Sequence, residues 1–155
     1  SKRIRRVEMA AAEAGLAIEV KRMGESTRTA EEAARQCGCD VNQIVKSLVF
    51  AGKSSGRLYL FLVSGGKKLD LEKASKLAGE ALERADPRQV REETGFAIGG
   101  VSPLGHPNGV RRFADETLLE FNQVWAAAGA HDAVFAAEPK ALIAAAGAET
   151  VDVAD

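Results

Sequence analysis

Two β-rich runs on either side of a short glycine- and serine-rich turn restrict this chain more than any other feature in it. Residues 44–50 (Ile-Val-Lys-Ser-Leu-Val-Phe) and 58–63 (Leu-Tyr-Leu-Phe-Leu-Val) are almost continuously apolar, and residues 51–56 (Ala-Gly-Lys-Ser-Ser-Gly) form a turn between them. Strands that are apolar on both faces must be covered on both sides. The pair therefore reads as a hairpin of central strands. Lys46 interrupts the first run. A cation inside an apolar strand is costly unless it has a partner or faces a cleft, so Lys46 is the first candidate for a functional side chain. The plain alternative is a lysine on the solvent face of an edge strand.

The remaining elements are marked by their starts and stops. Ile4, Val7, Ala11 and Ala14 recur at helical spacing, predicting a helix over 2–15 stopped by Gly15. Residues 17–22 alternate as a strand does. Thr29 and Glu32 form a capping box for a helix over 30–37 that Gly38 ends. Asp70 caps a helix over 71–78, Pro87 opens one over 88–94, and Pro139 opens one over 139–146; Gly79, Gly95 and Gly147 close them. Further strands are expected at 81–85, 111–115, 124–126, 133–136 and 150–153, with 96–110 an ordered loop rich in glycine and proline. Regular strand–helix–strand alternation is absent. The pattern predicts an α+β fold with a mixed, largely antiparallel sheet rather than a doubly wound one.

A chain of 155 residues suits one domain, 1–155, which buries roughly 70% of its unfolded surface and needs no disulfide or metal. Aromatic residues are only 5%, so the core is expected to be aliphatic, with Phe50, Phe61, Phe121 and Trp125 as bulky fillers. The net charge of −1 argues against a general nucleic-acid binder but not against a protein that grips one end of an RNA with a few local cations. Cys37 and Cys39 are badly spaced for a mutual disulfide and lack further ligands at metal spacing. Neither a metal nor a cofactor is expected. No apolar run reaches the ~20 residues of a membrane span, and no apolar stretch follows the basic start, so the cytoplasm is the expected compartment; no heptad or exposed apolar stripe stands out, so a monomer is the expectation.

Four pieces in order resemble one known family. They are residues 29–34 (Thr-Ala-Glu-Glu-Ala-Ala); residues 44–50 with Lys46; Gly65 and Gly66 followed by Leu69, Asp70 and a lysine-rich helix; and residues 94–105 (Thr-Gly-Phe-Ala-Ile-Gly-Gly-Val-Ser-Pro-Leu-Gly). The last contains a Gly-x-x-x-Pro loop, and Asp115 adds a weaker match. Their order and spacing, over roughly residues 5–150, are similar to the YbaK/prolyl-tRNA synthetase-associated editing domains. The resemblance implies a barrel-like α+β fold flanked by helices. It also implies hydrolysis of the ester that joins a wrong, small amino acid (cysteine, alanine or similar) to tRNA(Pro). With no synthetase attached, the chain looks like a free-standing member acting in trans on the acceptor end of aminoacyl-tRNA, with prolyl-tRNA synthetase as a candidate partner.

Hydrolysis of an activated ester needs a held carbonyl, a placed water and donors for the developing oxyanion. The sequence has no nucleophile elbow, zinc-protease helix or phosphate loop. With the resemblance, Lys46 is expected to hold the terminal phosphate or ribose, and the N–H groups of Gly100, Val101 and Ser102 to face the carbonyl oxygen. Gly99 lets backbone approach a ligand and Pro103 stiffens the loop. His106 is either an exposed loop residue, a base or a contact to the acceptor end. Asp115 orients Lys46, binds the substrate amine, or caps residues 116–119. Thr29 is a helix cap that can also line the pocket. Ser47 should point away from Lys46, Trp125 is core or an adenine-stacking surface, and His131 is a turn residue. Lys67, Lys68, Arg111 and Arg112 either track phosphates or form a solvated face. The competing reading is a non-catalytic module of the same fold that binds tRNA or a synthetase.

Overall fold

A computed structural model describes residues 1–107 and 109–155. Strands β2 (Val45–Gly52) and β3 (Leu58–Ser64) form the expected hairpin, paired from Val45–Ser64 to Ala51–Leu58. All seven residues of β3 are buried. Its alternate side chains feed two cores: Leu60 and Leu62 enter the larger one, Tyr59, Phe61 and Val63 the smaller. Phe61 stacks on Phe113 at 5.3 Å between ring centroids.

Five strands lie in the order β4 (Leu82–Arg84), β2, β3, β5 (Arg111–Asp115), β8 (Glu149–Val151). β2 is antiparallel to both its neighbours, whereas β3–β5 and β5–β8 are parallel. A second sheet of three strands runs β1 (Lys21–Arg22), β7 (Ala133–Ala137), β6 (Val124–Ala127), all antiparallel. The α+β, mixed and largely antiparallel prediction holds. The sheets do not close into the expected barrel: they pack on a shared core, and among the described residues their backbones are linked by one isolated bridge, Ile44 to Trp125. Beyond it β2 has an open edge.

The helices follow their caps. They are α1 (Lys2–Glu13), α2 (Ala30–Cys37), α3 (Leu71–Ala78), α4 (Pro87–Thr94) and α5 (Pro139–Ala146). α1 buries Ile4, Val7 and Ala11, as the spacing predicts. Thr29 and Glu32 form the predicted capping box, and Gly38 ends α2 in the left-handed region. Two expectations change. The strand predicted over 17–22 shrinks to two residues, because Ile18 and Val20 pack on the core while the backbone meets β7 only at Lys21 and Arg22. Of the predicted bulky fillers only Phe61 is fully buried; Phe96, Phe113 and Phe135 take the places given to Phe50, Phe121 and Trp125.

No helix among the described residues is long and apolar enough to cross a membrane. Cys37 and Cys39 are both free. Burial, with Cys39 beside it, pushes the Cys37 thiol up to about 11.

Candidate functional site

A cleft of about 430 Å³ lies between the two sheets. The first residues of α2, strand β2, strand β6 and Ile98, Gly99 and Val101 wall it. Thr29 sits at the start of α2 with its Oγ1 accepting from the Glu32 N–H, and its own N–H donates to the Glu32 carboxylate. Just before it, the Thr27 N–H and hydroxyl both donate to the His131 carbonyl. That bond ties the α2 approach to the β6–β7 turn and so sets the width of the cleft. His131 is a turn residue, as expected.

Lys46 lines the cleft, and its ammonium donates to the Lys67 carbonyl. Burial pushes it below the usual lysine range; Glu31 and Asp155 pull back, and Lys68 adds to the push. The lysine thus has the partner that its cost demanded. Lys67 contributes through its backbone, in the segment after Gly65 and Gly66. Gly65 is held by backbone: a Cβ there would lie 2.4 Å from the Val41 carbonyl oxygen, whereas one on Gly66 would meet the Asn42 side-chain oxygen at 2.3 Å and displace it.

The Gly-x-x-x-Pro loop reaches the cleft through Gly99 and Val101. Gly99 has φ +86°, and a Cβ there would approach the Arg28 side chain at 3.1 Å. The Gly100 N–H is used inside the loop, donating to the Ala97 carbonyl at 2.9 Å. The Val101 and Ser102 N–H groups have no hydrogen bond to another described residue. Ser102 is fully buried and its hydroxyl accepts from the Leu104 N–H.

Five expected residues do not line the cleft: Gly100, Ser102, Pro103, His106 and Asp115. Pro103 and His106 line a different cavity, with Arg112, Glu13 and the end of α5. His106 is not an exposed loop residue: burial holds its imidazole down at about 4, so at neutral pH it is uncharged. Its Nε2 lies 2.7 Å from the Ser102 carbonyl; a carbonyl only accepts, so Nε2 carries the proton. The ring packs edge-on against Phe96 and braces the loop from behind. Asp115 is 1% exposed and caps residues 116–120. Its carboxylate accepts from the N–H groups of Val153 and Ala154 and from the N–H and hydroxyl of Thr117. Burial alone would raise its pKa, but these bonds outweigh burial and hold it below the usual range. It does not meet Lys46 or the cleft.

Several lining residues were not singled out beforehand. Arg28 and Arg84 add two cations, and Ile98, 52% exposed, stands at the mouth. Trp125 is only partly buried, lines the cleft, and has the Lys21 ammonium 5.4 Å from its ring centroid. Among the described residues the lining holds no carboxylate and no imidazole. The arrangement is a small, mostly apolar recess with three cations and a strand edge. It suits an anionic chain end carrying a compact apolar group.

A fold of this kind, with the site between two sheets and a glycine–proline loop at its rim, defines a class, and the comparisons specify it. The model of the aminoacyl-tRNA editing domain family matches residues 24–145. The chain belongs to that family. A solved structure described as a candidate trans-editing enzyme for prolyl-tRNA synthetase superposes with a TM-score of 0.92 at 49% identity, covering 100% of this chain and 98% of the other. Among curated relatives, the uncharacterised protein YwhH of Bacillus subtilis is 32% identical over 76% of this chain and 74% of its own length. A candidate Cys-tRNA(Pro)/Cys-tRNA(Cys) deacylase, EbsC of Enterococcus faecalis, is 26% identical over 74% of this chain and 70% of its own length.

Proposed function

We propose that the protein is a trans-acting deacylase that hydrolyses the ester of a mischarged tRNA, tRNA(Pro) carrying a small amino acid such as alanine or cysteine. The observation that carries this reading is the cleft itself: Lys46 and the Gly99–Val101 loop, quoted from the sequence as family features, line one recess of about 430 Å³. Lys46, with Arg28 and Arg84, receives the phosphate and ribose of the RNA end. The apolar wall takes the small side chain. The N–H of Val101, which lines the cleft, stabilises the oxyanion as water adds to the acyl carbon. Collapse of that intermediate breaks the bond to the ribose oxygen, which takes up a proton, leaving free amino acid and intact tRNA. No lining residue is an obvious general base, so positioning and electrostatic stabilisation carry the rate.

The decisive assay is deacylation of tRNA(Pro) charged with alanine, cysteine, serine, 2-aminobutyrate or proline, with wild type beside Lys46→Ala. Loss of one mischarged ester, sparing of prolyl-tRNA, and a drop of about 100-fold or more in the variant are expected. A fully folded variant with unchanged turnover removes Lys46 from the mechanism. The lack of an acid or base in the lining also favours a second reading, a non-catalytic module that binds tRNA or a synthetase. Salt-dependent tRNA binding without loss of any ester would establish it instead.

A further inference from the structure

Strand β2 is paired on both sides only over Phe50–Gly52. The hydrogen bonds at the two ends of its ladder, Gly65 N–H to Ile44 and Gly52 N–H to Arg57, fix which residues turn toward β3. In an antiparallel pair these alternate, so Ile44, Lys46, Leu48, Phe50 and Gly52 bond to β3. The N–H and C=O groups of the odd-numbered residues between them point the other way, into the cleft. The bridge to Trp125 occupies the start of that edge, and β4 begins beyond Val49. Between them the Val45 carbonyl, both backbone groups of Ser47 and the Val49 N–H have no described hydrogen bond. The Ser47 hydroxyl is also buried without a partner, and Ser47 lines the cleft.

A buried hydroxyl without a partner is costly, and one that stands beside unpaired backbone groups at a cleft calls for a polar ligand. The cations beside them could serve a phosphate; the carbonyls cannot. The carbonyl and the hydroxyl of one residue suit a group that carries more than one N–H, yet no carboxylate stands by to take a full cation. The α-amino group of an aminoacyl ester fits: it is the N-terminal half of one residue of backbone, and a free strand edge is built to bind backbone.

We propose that the open edge of β2, centred on Ser47, is the subsite for the substrate's α-amino group, held by the Ser47 carbonyl and the Ser47 hydroxyl. This rests on the deacylase reading. It gives the cleft a means of requiring a free amine, so that esters lacking one are poor substrates whatever their side chain.

The test compares three esters of tRNA(Pro): alanyl, lactyl (the amine replaced by a hydroxyl of similar size) and N-acetylalanyl. Each enzymatic kcat/KM is divided by the ester's spontaneous rate. Wild type should cleave the lactyl and acetyl esters about tenfold or more slowly than the alanyl ester, the worth of one strong hydrogen bond. Ser47→Ala should slow alanyl cleavage about tenfold and lactyl cleavage less than about threefold, with Ser47→Thr restoring the alanyl rate. Its melting temperature should hold or rise, since it removes a buried hydroxyl that has no partner in the free protein. Equal cleavage of the three esters, or an equal loss on all of them in Ser47→Ala, overturns the proposal while leaving the deacylase intact. If alanyl-tRNA is spared, the same comparison is made on the cysteinyl ester and its des-amino analogue. Failure to cleave any free-amine ester sinks both readings.

Discussion

His106 shows how one side chain can matter to a site that it does not touch. Its neutral ring donates to the Ser102 carbonyl, and burial holds its pKa at about 4. In the unfolded chain an imidazole titrates near 6.5. Between these values the unfolded state binds more protons than the folded one, so acid favours unfolding. Stability should fall as pH drops from about 6.5 toward about 4, by at most ~1.4 kcal/mol per pH unit from this group. Urea unfolding at pH 7 and pH 5 checks this: the loss on acidification should be larger for wild type than for His106→Gln. Equal losses in the two proteins would show that the ring titrates normally. Thr29 carries a simpler expectation. Thr29→Ala removes a cap and should cost about 1 kcal/mol, read as a lower urea midpoint.

At the scale of elements, the turn between β2 and β3 depends on a residue far along the chain. The Glu80 carboxylate accepts from the Ser54 and Ser55 N–H groups, the Ser55 hydroxyl and the Tyr59 hydroxyl. The Ser55 hydroxyl, then Tyr59, pull its pKa down to about 2, so it stays charged in mild acid. A Cβ on Gly52 would fall 2.3 Å from that carboxyl group. Gly52→Ala should displace the latch, and hydrogen exchange at Ser54 and Ser55 should quicken while β3 amides stay protected. Unchanged exchange would mean that the carboxylate simply moves aside. This latch also marks where sequence reading stops. Helix limits were legible because caps are local: Thr29 with Glu32, Asp70, Pro87, Pro139 and the closing glycines each act within a turn of their helix. The hairpin was legible because its two halves are adjacent. The parallel pairings of β3 with β5 and of β5 with β8 join segments far apart, and no local signal announces them. For the same reason Asp115 could not be placed. A cap over 116–119 is one of the readings that the sequence leaves open; its bonds to Val153 and Ala154 depend on which strand lies beside β5. Within the cleft, Lys46, Thr29, Gly99 and Val101 were legible, while Arg28, Arg84 and Ile98 entered through packing alone.

For the molecule as a whole, Asp115 joins β5 to the residues after β8. Four donors converge on a carboxylate that is 1% exposed. Asp115→Ala should cost about 2–4 kcal/mol, seen as a lower urea midpoint, and should loosen residues 153 and 154 first in hydrogen exchange. A loss under ~1 kcal/mol would mean that those N–H groups find water instead.

Those same residues lead back to the cleft. Leu69 bridges to Ala154, the Asp70 N–H donates to the Val153 carbonyl, and Lys68 and Asp155 exchange two hydrogen bonds. The neighbouring carbonyl, that of Lys67, holds the Lys46 ammonium. A purification tag or fluorescent fusion joined after Asp155 would therefore pull on the peptide next to the one that positions the lysine. Rates measured with such a fusion belong beside those from a protein tagged at its other end, and a difference between the two would be a direct reading of how firmly that lysine is held.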